Sequence, residues 1–130
     1  MPAKEISLRK MRWMLFLLGL VKIPIVGFVR PRLISIDDET VRVKIKLRRR
    51  TKNHLKSMYF GALAVGADVA GGIHAFYFAE KAGSKVSFAF KGMKADFIKR
   101  AESDILFESN EGLLVKQAIE LSKSSGERVN

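Results

Sequence analysis

Asp68 is the first residue to weigh for chemistry, because it is the only charged side chain between Lys56 and Glu80, in a stretch that reads as apolar helix. A carboxylate taken out of water becomes harder to ionise or destabilises the fold. A chain that keeps one there uses it in one of two ways: as an acid or base on a substrate, or as an acceptor for a backbone amide or a partner subunit. The two histidines are weaker candidates. His74 lies six positions on, on a different helix face, where a lone histidine is more often packed than catalytic, and His54 falls in a solvated basic loop. Arg48, Arg49, Arg50, Lys52 and Lys56 form a dense basic cluster, open to three readings: a solvated loop, a site for a phosphorylated small ligand, or a nucleic-acid contact. Aromatic interleaving is poor there, since Tyr59 and Phe60 fall at the start of the apolar helix, so nucleic acid is the weakest of the three. No metal-ligand spacing, glycine-rich phosphate loop or Ser/His/Asp pattern is present, and the Gly71-Gly72 pair lies inside the helix. Neither a metal nor a bound cofactor is therefore expected.

The elements that must position these residues follow from periodicity. Residues 57–80 predict a helix of about six turns capped by Ser57. Each of its many glycines weakens a helix relative to alanine, and so much Gly and Ala makes sense where another backbone comes close, as a sheet wrapped around the helix would do. Before it, Leu33 to Ile36 and Val41 to Leu47 predict an antiparallel hairpin around the acidic turn Asp37-Asp38-Glu39. Val41, Val43, Ile45 and Leu47 alternate with Arg42, Lys44, Lys46 and Arg48, so one face is buried and the other solvated. After it, Val86 to Phe90, Ala95 to Ala101 and Asp104 to Glu108 read as strands. A last helix over 111–125 is capped by Asn110, with Leu114, Ala118 and Leu121 as its stripe. Pro24, Gly27 and Pro31 predict an extended connection from Ile23 to Arg32.

At the N-terminus, residues 5–21 predict a helix. Lys4 to Arg12 followed by Trp13 to Val21 imitate a secretory leader, but no small-residue cleavage site follows. Lys22 and Pro24 interrupt the apolar run well short of the ~20 residues a spanning helix needs. The helix is either a buried amphipathic one or a basic one lying on an anionic membrane, since Arg9, Lys10 and Arg12 flank Trp13, Leu15 and Phe16.

The composition bounds these readings. A chain of 130 residues with 48% hydrophobic and 28% charged residues suits one folded domain. The absence of cysteine excludes disulfides, thiolate nucleophiles and Cys-bound zinc, and a net charge of +11 points to an anionic partner.

The order helix, hairpin, long Gly/Ala-rich helix, then antiparallel strands resembles the hot-dog fold, an α+β fold in which a curved sheet wraps a long central helix. Asn53-His54-Leu55-Lys56-Ser57-Met58-Tyr59-Phe60-Gly61-Ala62-Leu63, followed by Ala67-Asp68-Val69-Ala70, resembles the opening of the central helix in hot-dog thioesterases of the phenylacetyl-CoA thioesterase-like branch. That branch carries Asn, six residues later His-Gly-Gly, then Leu-Ala-Asp-x-Ala. The closer likeness is to uncharacterised hot-dog proteins usually labelled thioesterases. The resemblance implies a single domain over 1–130, with an N-terminal helix and an extra C-terminal helix. It also implies a homodimer or dimer of dimers, a cytoplasmic location and an acyl-CoA-type ligand. Asp68 would be the nucleophile or general base, Asn53 would position thioester or water, and Gly61 would match the second Gly of the pair. Tyr59 stands where the branch has His, and Phe60 where it has the first Gly. Arg49, Arg50, Lys52 and Lys56 are the nearest candidates for the coenzyme A phosphates. Two non-catalytic alternatives stand beside this reading: an acyl- or lipid-binding hot-dog protein, and a binder of anionic surfaces with peripheral membrane contact through the N-terminal helix. The resembled family continues past Gly126 into further strand, so the last family strand is expected to be missing here.

Overall fold

A computed structural model describes residues 7–83 and 92–125. The chain runs through α1 (Leu8–Leu17), a π-helical turn (Leu18–Lys22), α2 (Pro24–Val29), β1 (Arg32–Ile36), β2 (Val41–Ile45), α3 (Phe60–Ala82), β3 (Ile105–Ser109) and α4 (Gly112–Ser125). The three strands form an antiparallel curved sheet in the order β1-β2-β3, laid across α3.

The alternation in β2 works as its sequence predicts. Val41, Val43 and Ile45 are fully buried toward α3, while Arg42 and Lys44 face outward beside Glu108 of β3 and Asp104 just before it, with Arg42–Glu108 at 3.4 Å and Lys44–Asp104 at 3.8 Å. These exposed pairs add little stability, but they account for part of the positive charge as an ordinary sheet surface. The β1–β2 turn is closed by Asp37, whose Oδ1 accepts the N–H groups of Glu39 (2.8 Å) and Thr40 (2.7 Å).

α3 is apolar on every side because it is covered on several. Gly66 shows why small residues recur along it, since a β-carbon there would run into the ring of Phe107 on β3. By length and composition α3 could cross a membrane, yet 61% of its most apolar window is buried inside the protein, which makes it the core helix. It ends at Gly83 (φ 66°), whose N–H closes on the Ala79 and Glu80 carbonyls. Its C-terminal half is tied to the hairpin turn by His74 Nε2 against the Asp37 carbonyl (2.8 Å), and by Tyr77 and Lys81 donating to Asp38 at 3.1 and 2.8 Å. His74 is thus a packed residue, stacked on Phe78.

Five expectations change. Ile23 to Arg32 is not extended: Pro24 occupies the first helical position, where its fixed φ favours helix, and α2 runs to Arg30, a left-handed cap at φ 57°. Ala95 to Ala101 is irregular instead of a strand, and Phe97 in it is 62% exposed. Ile98 is 95% exposed. Ser57 does not cap α3, which begins at Phe60 after Tyr59 with no side-chain cap. In α4 the buried stripe is Val115 and Ile119, with Leu114 and Leu121 facing out. Gly112 sets this rotation: its N–H bonds the Glu39 carbonyl at 3.1 Å and leaves no room for a side chain against the Asp38–Glu39 backbone. Asn110 accepts from the Thr40 hydroxyl (2.9 Å) instead of capping α4. The predicted strand Val86 to Phe90 lies outside the described residues.

Candidate functional site

The loop from Lys46 to Tyr59 delivers the chain to the start of α3. It is built around two polar side chains. Thr51, buried, donates to the Lys46 carbonyl (2.8 Å) and accepts the Arg48 N–H (2.9 Å), while its own carbonyl takes the Tyr59 N–H (2.8 Å). Asn53 Oδ1 accepts three donors: Leu55 N–H at 2.8 Å, Ser57 N–H at 3.2 Å and Ser57 Oγ–H at 3.2 Å. With every acceptor contact on one atom, the Asn53 amide orientation is fixed and its Nδ2 remains available as a donor. Lys56 takes a left-handed φ of 62° to complete the turn.

The loop leaves the first two amides of α3, Phe60 N–H and Gly61 N–H, without intrahelical partners. The Tyr59 carbonyl accepts first from Ala62 (2.9 Å) and Leu63 (3.1 Å). Free amides at the positive end of a long helix suit a developing oxyanion. The Tyr59 ring covers Gly61 and lies 4.9 Å from the Phe60 ring, and both rings are exposed beside the amides. A β-carbon on Gly61 would push the Tyr59 ring aside. Arg49, Lys52, His54 and Lys56 are exposed on the same loop; Arg50 is half-buried, with its Nε buried and unpaired.

Asp68 lies elsewhere. Seven residues beyond Gly61, it is on the same helix face but ~10 Å along the axis. It stands on the wall of a cavity of about 660 Å³ between α3 and the N-terminal helices, lined by residues including Met14, Leu15, Leu18, Val21, Val69, Ile73 and Phe76. That volume falls in the range of small-molecule sites. Among the described residues, Asp68 and Lys22 are the only charged ones lining it. The Asp68 carboxyl is solvent-accessible yet has no hydrogen-bond or ion-pair partner among the described residues. The surrounding protein shields it enough to push its pKa above the ordinary carboxylate value, in the direction a general base needs.

The site residues anticipated from sequence therefore form two groups within one protomer. Asn53, Tyr59, Gly61 and the basic residues gather at the start of α3, and Asp68 faces the cavity two turns away. The N-terminal wall of that cavity was missed. Its signal was Lys22, the only charge between Arg12 and Arg30, which mirrors the isolation of Asp68. Among the described residues no group of three His, Asp or Glu could hold a metal ion.

Comparison with curated proteins finds no match. Among solved structures, a protein of unknown function from Chlorobaculum tepidum TLS is similar at 15% identity and a TM-score of 0.74, over 92% of this chain and 71% of that one. A Pseudomonas aeruginosa protein of unknown function, described as a probable thioesterase, is similar at 24% identity and a TM-score of 0.68, over 95% of this chain and 79% of that one. At these identities the likeness speaks for the fold, which is the hot-dog fold. A family profile matches residues 12–119, from α1 into α4, and so this hot-dog chain belongs to the family described as a domain of unknown function (DUF4442).

Proposed function

We propose that the protein binds acyl-CoA-type thioesters and hydrolyses them to a carboxylic acid and a free thiol. The observation that carries this reading is Asp68, a partly desolvated carboxylate without a partner among the described residues, on the wall of an apolar cavity. As general base it would take a proton from water as the water oxygen attacks the thioester carbon. As nucleophile it would itself form the new C–O bond, and water would cleave the resulting anhydride. In either case the thiolate leaves and is protonated. The negative charge on the carbonyl oxygen would be met by Phe60 N–H, Gly61 N–H and Asn53 Nδ2–H. Asp68 is ~10 Å from the amides of its own helix, so the reading requires a homodimer, or a dimer of dimers, in which Asp68 of one protomer faces the loop and helix start of its partner. Tyr59 would donate a hydrogen bond at the rim. Arg49, Arg50, Lys52 and Lys56 would hold the coenzyme A phosphates outside. The proposal treats 1–130 as a single domain acting in the cytoplasm, where acyl-CoA is available.

A second reading, acyl or lipid binding without turnover, is supported by Tyr59 and Phe60, whose rings crowd the amides where the resembled branch has His and Gly. A panel of acyl-CoA substrates assayed by thiol release separates the two, and the cysteine-free chain adds no thiol background. Hydrolysis abolished by Asp68→Asn supports the first reading. Co-purified fatty acid in native mass spectrometry, with no thiol release, selects the second.

A further inference from the structure

The N-terminal helices expose an apolar face that the fold does not need. α1 buries Met11 and Leu15 against the core, yet its opposite face presents Trp13 (59% exposed) and Phe16 (57%), stacked at 5.7 Å. The π-helical turn and α2 then fold back on each other so closely that neither Gly19 nor Gly27 could carry a β-carbon, the Gly19 position lying 2.8 Å from the Gly27 backbone. This tight hairpin turns Leu20 (65%), Val21 (69%), Ile25 (62%) and Phe28 (60%) outward as a preformed knuckle. Its surroundings carry one sign of charge. Residues 7–36 contain six Lys and Arg and no Asp or Glu. Lys10 pairs with Glu80 and Arg12 Nε donates to the Leu33 carbonyl (2.7 Å), leaving Arg9, Lys22, Arg30 and Arg32 exposed and without an ion pair among the described residues.

We propose that this knuckle docks on an anionic lipid bilayer, with Trp13, Phe16, Leu20, Val21, Ile25 and Phe28 entering the interface and the four unpaired basic residues meeting lipid phosphates and carboxylates. Apolar and aromatic side chains beside a basic rim match the chemistry of an interfacial amphipathic surface. Charge complementarity favours a bilayer over a second copy of the chain, because a two-fold contact through this patch would bring its own like charges together. Leu17, Val21, Lys22 and Ile23 also wall the cavity, so docking places the apolar ligand space beside the hydrocarbon from which acyl chains come. The inference stands whether or not the cavity supports turnover.

The test is flotation of the full chain with phosphatidylcholine vesicles, with and without phosphatidylserine. It is read together with the fluorescence of Trp13, the single tryptophan of the chain. Expected are binding that requires phosphatidylserine and weakens with salt, and a blue shift of Trp13 emission. Val21→Glu with Phe28→Glu should abolish both while leaving the circular dichroism spectrum unchanged, since both positions are exposed. Arg9→Gln and Arg30→Gln leave the apolar knuckle intact and should each weaken binding about fivefold. Absence of binding, equal binding to vesicles lacking phosphatidylserine, or binding indifferent to both sets of substitutions would overturn the proposal. So would a concentration-dependent self-association, without lipid, that the Val21 and Phe28 substitutions remove, since it would make the patch an interface between copies.

Discussion

Asp68→Asn should make the protein more stable while removing any hydrolysis. The carboxyl has no partner among the described residues, and its pKa is raised because burial disfavours the charged form. The folded state therefore holds the Asp68 proton more tightly than the unfolded state does. Its favourable contribution is complete below the unfolded pKa and is lost as pH rises through the folded pKa, so at neutral pH the ionised carboxylate weighs against folding. Asn keeps the shape and never ionises. Since Asp68 is still in contact with water, the gain should not exceed about 1 kcal/mol, or about 3 to 5 °C in Tm for a chain of this size. The assay is thermal unfolding by circular dichroism of both proteins, at neutral pH and again below the ordinary carboxylate range. The difference should be present in the first condition and vanish in the second, where wild-type Asp68 is protonated. A Tm that falls on substitution at neutral pH, or a gain that persists in acid, would refute the reasoning and make Asp68 a bonded structural residue.

Further outcomes follow from the same contacts. Asn53→Ala strands the Leu55 and Ser57 donors and should cost about 1–3 kcal/mol by chemical denaturation. Asn53→Asp keeps the acceptor and loses only the outward N–H, so it should spare most of the stability and lower turnover. Gly27→Ala forces backbone apart from backbone at Gly19 and should destabilise by about 1–3 kcal/mol, against the smaller gain of about 0.5–1 that Ala brings to a helix; a rise in Tm would contradict the tight hairpin. Lys81 donating to Asp38 holds that carboxyl below the ordinary carboxylate value. Its contribution is present above the unfolded pKa and lost as pH falls through the folded one. Asp38→Asn should then flatten part of the acid limb of a stability–pH curve, by less than about 1 kcal/mol because the Asp38 carboxylate keeps contact with water.

The parts of the fold legible in the sequence are those where one side chain pattern has one structural meaning. Strict alternation from Val41 to Ile45 allows only a half-buried strand, and the Gly/Ala-rich stretch around Gly66 made sense only under a closely packed sheet, here the ring of Phe107. The failures arise where local pattern leaves a choice that distant contacts make. α4 has apolar residues at 113, 114, 115, 118, 119 and 121, so its rotation is set by Gly112 against the Asp38–Glu39 backbone and not by periodicity. Pro24, Gly27 and Pro31 looked like three breakers, yet Pro24 starts a helix and Gly27 is inside it because Gly19 lies against it. At the candidate site, the isolation of Asp68 was visible in the sequence. The cavity it faces was not, because its other wall comes from residues about fifty positions earlier in the chain.

In the proposed complex an acyl thioester lies with its chain in the cavity and its carbonyl between Asp68 and the start of a partner's α3. The most direct measurement is a crystal structure with a non-hydrolysable thioether analogue of acyl-CoA. The acyl chain should lie against Leu15, Val69 and Ile73, with the sulfur end within reach of Asp68 and the Phe60 and Gly61 amides of a second protomer at the same point. An analogue bound elsewhere, or bound in the cavity with its sulfur end remote from Asp68, would contradict it.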